Sequence, residues 1–127
     1  MWGWLLILAV LGAPLTLVLH ELSHAVATWA TGGKVTLFRP WPHRHEGRFY
    51  FGRMMREGGQ DLAVHAAPLA KATGLLLVWA LLALCWLPLL CLWAWELVDL
   101  AWWWRGWIWK PYTDGGKARA LLRGDTT

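Results

Sequence analysis

Cysteine is scarce in this 127-residue chain, which contains only Cys85 and Cys91. Both lie in apolar sequence with five residues between them, a pattern typical of packing rather than of a disulfide framework or a thiolate metal site. Charge is sparse as well, because only 16% of the residues are charged while 57% are hydrophobic. This composition excludes an ordinary small soluble protein and predicts one domain embedded in a lipid bilayer.

Two further absences exclude other classes. The N-terminal apolar segment lacks the basic residues that open a signal peptide, and cleavage would fall close to the first motif described below, so we expect the segment to be retained. The net charge of +4 is accompanied by neither a base-stacking motif nor a basic stripe. Nucleic acid is therefore not an expected partner.

Long apolar runs make up most of the chain and predict an α-helical integral membrane protein. The first run predicts a span over residues 2–30, which is long enough to cross a bilayer. A second apolar stretch is too long for one straight span, and Pro88 divides it into spans over about 62–85 and 89–108. The sequence therefore predicts three transmembrane helices.

The segments between and after the spans are basic. Residues 31–61 form the loop between the first two spans, where 35–38 and 48–51 predict a short β-hairpin around a proline-rich turn at 40–46. The C-terminal segment, 110–127, is also rich in Lys and Arg. The positive-inside rule then predicts that both segments are cytoplasmic and that the N-terminus is outside, and we expect a bacterial plasma membrane. Thirteen tryptophans suit the membrane–water interfaces.

The sequence His20-Glu21-Leu22-Ser23-His24 ends an apolar run without a charged side chain. On a helix, His20 and His24 share a face and can bind one metal ion, while Glu21 stands beside them. This HExxH spacing is typical of zinc hydrolases. Ionisable groups in a membrane span usually mark a functional site. The alternative is a buried His/Glu cluster that neighbouring helices satisfy.

Catalytic zinc usually has three protein ligands, so one more is expected. The candidates are Asp114, Glu96, Asp99, His65 and the loop histidines His43 and His45. Glu96 and Asp99 share one face of the third span, and spacing alone does not exclude them. Asp114 lies between Pro111 and Gly115-Gly116, which predicts an unwound backbone there. The loop histidines could instead form a second metal site or simply lie in an exposed interfacial loop.

Three motifs in order resemble those of the site-2 protease family of intramembrane zinc metalloproteases, and they cover nearly the whole chain. They are His-Glu-Leu-Ser-His-Ala at 20–25, Ala-Ala-Pro-Leu-Ala at 66–70 and Asp-Gly-Gly-Lys at 114–117. The resemblance implies a three-helix core with one zinc ion per chain. It implies that His20, His24 and Asp114 bind the zinc, and that Glu21 is the catalytic acid/base acting on a zinc-bound water.

The resemblance also implies that a transmembrane helix of another membrane protein is cleaved and that the strands near the loop clamp it. The chain departs from the family in two places of the second motif, where Ala67-Pro68 replaces Gly-Pro and Lys71 replaces an Asn. His65 is a candidate for oxyanion support or an ordinary interfacial histidine.

Other interpretations remain open. A proteolytically inactive zinc-binding scaffold or regulator would share the motifs. A metal-ion conduit would use Glu96 and Asp99 with the histidines along a path. In a protease, these two acids could pair with Arg105, lie near the metal and contact the residues that bind it, or line a water path to the site. The number of copies in an assembly does not follow from the sequence.

Overall fold

The computed structural model describes residues 1–110 and 112–125, and within those residues it contains four helices and four strands. The helices are α1 (Trp2–Ala30), α2 (Asp61–Ala83), α3 (Leu90–Trp109) and α4 (Asp114–Arg123). The strands are β1 (Lys34–Arg39), β2 (His43–His45), β3 (Arg48–Tyr50) and β4 (Arg53–Glu57). The expected helical protein with a hairpin after its first helix is confirmed, but four helices replace the expected three. Those parts of the predicted segment 110–127 that fall on Pro111 and on 126–127 lie outside the described residues.

Helices α1 and α2 are long and apolar enough to cross a membrane. The 29 residues of α1 correspond to about 44 Å at the usual rise per residue. Many of the large apolar side chains on both helices are exposed, including Leu6 and Val10 on α1 and Leu77 and Leu81 on α2. Exposed apolar side chains in such numbers are typical of a surface that faces lipid or a partner.

Pro88 separates α2 from α3, as the sequence predicts. It lies in a 3₁₀ turn over Leu87–Leu89, after which α3 begins. Trp4 at the start of α1 contacts Trp86 beside this turn, with ring centroids 5.7 Å apart. The indole of Trp95 on α3 donates to the carbonyl oxygen of Ala9 on α1 at 2.8 Å. The start of α1 and the turn before α3 therefore lie at the same end of the helix bundle.

The strands pair differently from the prediction. β1 pairs with β4, and β2 pairs with β3, both antiparallel, so segments 35–38 and 48–51 are not partners. The reason is the turn at Glu46 and Gly47, where both residues have positive φ values. A two-residue turn with this backbone closes a tight hairpin between β2 and β3. β1 therefore pairs with β4 instead.

Helix α4 corrects the prediction of an unwound backbone around Asp114, because this residue begins the helix. Thr113 precedes it, and its hydroxyl accepts a hydrogen bond from the Gly116 amide at 3.4 Å. A threonine cap followed by an acidic first turn favours helix initiation despite the two glycines. A Cβ atom at Gly115 would lie 2.7 Å from the backbone nitrogen of Trp107. The missing side chain therefore lets α4 lie directly against α3.

Candidate metal centre

Three side chains from the first and last helices converge on one point. The Nε2 atoms of His20 and His24 lie 3.4 Å and 3.1 Å from the same Oδ2 atom of Asp114. Ligand atoms of these three residues all lie within 4.8 Å of one another, and among the described residues they form the group suited to a metal ion. Tetrahedral zinc with ligand distances near 2.0 Å places its ligand atoms about 3.3 Å apart. The donor set therefore fits zinc.

Each histidine is oriented from behind by a hydrogen-bond acceptor. The Nδ1 atom of His20 lies 2.8 Å from Oδ1 of Asp99, and that of His24 lies 2.7 Å from the carbonyl oxygen of Val64. With a proton on each Nδ1, both Nε2 lone pairs would be free to bind a metal ion beside Asp114, which is the arrangement found behind most histidine ligands of metals. Asp99 therefore contacts the candidate ligand His20 and lies outside the group of three residues suited to a metal ion.

Asp114 is held by a third imidazole. The Nδ1 atom of His65 on α2 lies 2.9 Å from Oδ1 of Asp114, which leaves Oδ2 facing the other two histidines. Burial alone would raise the pKa of the Asp114 carboxyl, but hydrogen bonds with His20, His24 and His65 outweigh it and hold this pKa well below its usual range. Asp114 is thus ionised at neutral pH. The Nδ1 atom of His65 thus contacts Asp114. Oxyanion support by this histidine stays a prediction.

Glu96 and Asp99 lie one turn apart on α3 and share one cation. The Nζ atom of Lys71 on α2 lies 2.8 Å from Oε2 of Glu96 and 2.6 Å from Oδ2 of Asp99. Their partner is Lys71 rather than Arg105. Sequence reasoning noticed Lys71 only as a departure from a motif. One feature of the sequence could have identified Lys71. It is a lone cation between Ala70 and Ala72 in an apolar helix, and such a cation needs a buried anionic partner.

Glu21 is buried under the loop between β3 and β4. Its exposed fraction is 8%. A Cβ atom at Gly52 would lie 2.6 Å from Oε1 of Glu21, so only glycine permits this approach. The hairpin region thus covers the candidate base, an arrangement that the sequence did not predict.

The loop histidines take part in local contacts. Nδ1 of His43 lies 2.9 Å from the carbonyl oxygen of Trp41, and its ring stacks on that of Tyr50 with centroids 5.7 Å apart. Nε2 of His45 lies 3.5 Å from the Glu46 carboxylate. Within the part of the chain that the structure describes, neither histidine belongs to a three-ligand group.

Comparisons of the chain with protein families, with curated proteins and with solved structures find no match, so the function has to be inferred from the geometry of the site and from the three motifs.

Proposed function

We propose that the protein is an intramembrane zinc metalloendopeptidase that hydrolyses peptide bonds in or near the transmembrane helices of other membrane proteins. The observation that carries this proposal is the convergence of the two Nε2 atoms of His20 and His24 on one Asp114 oxygen. Glu21 lies next to the first ligand on the same apolar helix and is shielded from solvent. The active site of a metal-dependent hydrolase typically contains two histidine ligands, a carboxylate ligand and a neighbouring glutamate.

His20, His24 and Asp114 would hold one zinc ion per chain. Zinc, when bound, polarises the scissile carbonyl and makes water a nucleophile at neutral pH. Glu21 acts as the general base and then as the general acid. It accepts a proton from the attacking water as the oxygen of that water bonds to the carbonyl carbon. It then delivers the proton to the nitrogen as the C–N bond breaks.

A third membrane crossing by α3 belongs to this proposal. The two acids on its inner face are buried against Lys71, with exposed side-chain fractions of 1% for Glu96 and 11% for Asp99. Because these charges face the bundle, α3 can meet lipid with its apolar and tryptophan-rich faces. The basic loop and C-terminal segment are then cytoplasmic, the N-terminus is outside, and the membrane is a bacterial plasma membrane. The metal centre lies nearer the cytoplasmic face.

The substrate must be extended at the cleavage point, because a helical peptide bond is shielded and hydrogen-bonded to its own chain. An unwound segment can pair with an edge of the four short strands, whose backbone groups would replace the lost helical hydrogen bonds. Phe49 and Phe51 are exposed beside these edges and would contact apolar substrate side chains.

A non-proteolytic zinc-binding scaffold is the second candidate, and one observation favours it. Gly52 lies directly over Glu21, so the base is covered. A scaffold would bind zinc and cleave nothing. A metal-ion conduit is disfavoured, because the ammonium of Lys71 lies between Glu96 and Asp99 and would repel a passing cation.

The test is the metal content of the detergent-purified protein, measured by elemental mass spectrometry on wild type, Asp114→Ala and the control His45→Ala. We expect one zinc ion per chain in wild type and in the control, and loss of zinc in Asp114→Ala. A wild type without zinc, even after reconstitution with zinc salt, would overturn the proposed function. Cleavage of single-span reporter proteins in liposomes then separates the protease from the scaffold.

A further inference from the structure

Lys71 is the cation of a largely buried three-residue cluster, Lys71, Glu96 and Asp99, which we call the acid–lysine cluster. The side chain of Lys71 is 11% exposed, and its Nζ atom contacts both carboxylates. Asp99 uses both of its oxygens, since Oδ2 contacts Lys71 and Oδ1 contacts Nδ1 of His20. The cluster therefore joins α2 and α3 to a candidate metal ligand on α1.

Charge balance makes Lys71 necessary for this arrangement. Glu96 and Asp99 are one helical turn apart and both point at the same ammonium, so without it two buried carboxylates would face each other. Like charges in a weakly polar interior repel strongly, and a buried charge that has lost its partner is costly. Either Asp99 would be driven away from Glu96 or one of the two acids would take up a proton, and both changes disturb the contact between Asp99 and His20.

We propose that Lys71 is a positioning residue of the metal centre, because its ammonium neutralises Glu96 and thereby keeps Asp99 hydrogen-bonded to His20. Zinc affinity at ligands on α1 and α4 is then set in part by an ion pair between α2 and α3. The inference rests on the proposed function only in requiring that the site binds zinc. It assigns a role to the residue that stands where the resembling family has an asparagine.

The proposal can be tested because Lys71 and Glu96 form an ion pair with no net charge. Removing both side-chain charges therefore leaves the net charge of the cluster unchanged. Lys71→Met removes the cation and leaves Glu96 opposed to Asp99. Lys71→Met combined with Glu96→Leu removes both charges and leaves the Asp99–His20 contact alone. Lys71→Arg retains the cation. The matched control is Lys34→Met, which removes an exposed lysine on β1.

The measurement is zinc affinity by competition with a chromophoric chelator on purified full-length protein, with the visible spectrum of bound Co²⁺ as the second readout. We expect Lys71→Met to lower zinc affinity by about 10- to 100-fold and to shift the Co²⁺ spectrum, as substitutions behind metal-binding histidines do. The double variant should recover most of that loss. Lys71→Arg and Lys34→Met should resemble wild type in both readouts.

Two results would overturn the inference. One is a Lys71→Met affinity equal to that of wild type, and the other is a double variant that binds zinc no better than Lys71→Met. If Lys71→Met does not fold, Lys71→Gln removes the same charge with a polar side chain and is judged by the same criteria. Absence of zinc from wild type would instead overturn the proposed function, so the two failures are distinguishable.

Discussion

The Nδ1 atom of His24 lies 2.7 Å from the carbonyl oxygen of Val64, so the main chain of α2 orients a candidate metal ligand on α1. The neighbouring candidate ligand, His20, has the side chain of Asp99 in the same role. A backbone carbonyl survives any side-chain substitution, whereas the carboxylate does not. The two histidines should therefore differ in how far mutation can disturb them.

Asp99→Asn should weaken zinc binding without abolishing it. The amide is a poorer acceptor for Nδ1 of His20 and a poorer partner for Lys71, so we expect a loss of about 10- to 100-fold in affinity. The chelator competition measures this, and saturating zinc should restore one ion per chain. Zinc that is lost completely with Asp99→Asn but kept in Asp114→Ala would place the third ligand on α3 instead of α4.

Glu21→Gln should retain zinc and lose hydrolysis. Gln cannot accept the proton of the attacking water, so cleavage of a reporter helix in liposomes should fall by about 10²- to 10⁴-fold. Glu46→Gln is the matched control, because the Glu46 side chain is 86% exposed in the hairpin turn. Full cleavage by Glu21→Gln would refute the assigned role of this residue.

Gly52→Val should separate metal binding from access to the base. Any side chain at this position collides with the Glu21 carboxylate, so either the loop or Glu21 has to move. We expect unchanged zinc content and a changed cleavage rate, measured on the same reporter. Gly74→Ala is the control, since open space surrounds that glycine. Identical cleavage by wild type and Gly52→Val would show that the contact between Gly52 and Glu21 has no bearing on catalysis.

Gly115→Ala should move α4 and with it the third ligand. The added methyl group would meet the backbone of α3, and overpacking of this kind usually costs about 1–3 kcal/mol of the free energy of unfolding. Zinc affinity should fall because Asp114 is the preceding residue. Gly3→Ala, in open space at the start of α1, should lower neither quantity. Wild-type zinc affinity in Gly115→Ala would mean that Asp114 does not depend on close contact between α3 and α4.

Membrane topology can be tested with the exposed native thiol of Cys85, which lies close to the turn that precedes α3. In a Cys91→Ser background, a membrane-impermeant maleimide should label Cys85 on intact cells. A cysteine placed in the hairpin turn as Gly47→Cys, with both native cysteines replaced by serine, should be labelled only after the cells are opened. The reverse pattern would invert the proposed orientation.

Features with a strong local signal were predictable from the sequence. The start and most of the length of α1 follow from an apolar run without a charged side chain up to Leu19, and the break before α3 follows from Pro88. The pair His20 and His24 follows from helical spacing. Each of these depends on residues close together in the chain, where backbone geometry fixes the outcome.

Other features depend on distant residues or on competing local signals. Strand pairing was wrong because the turn at Glu46–Gly47 competes with the proline-rich segment before it. The unwound backbone predicted at Asp114 was wrong, because Thr113 caps a helix that begins at Asp114 although two glycines follow it. The role of Lys71 becomes visible only when α2 and α3 lie side by side, since its partners are 25 and 28 residues away.

The ligands of the candidate metal centre are far apart in the chain, because Asp114 follows His24 by 90 residues. During synthesis, the two histidines are made long before the carboxylate that lies beside them in the folded chain. A partly synthesised chain therefore has no complete site, and contacts between such distant residues form late. Under the proposed function, the catalytic site is therefore complete only after α4 has docked against α3.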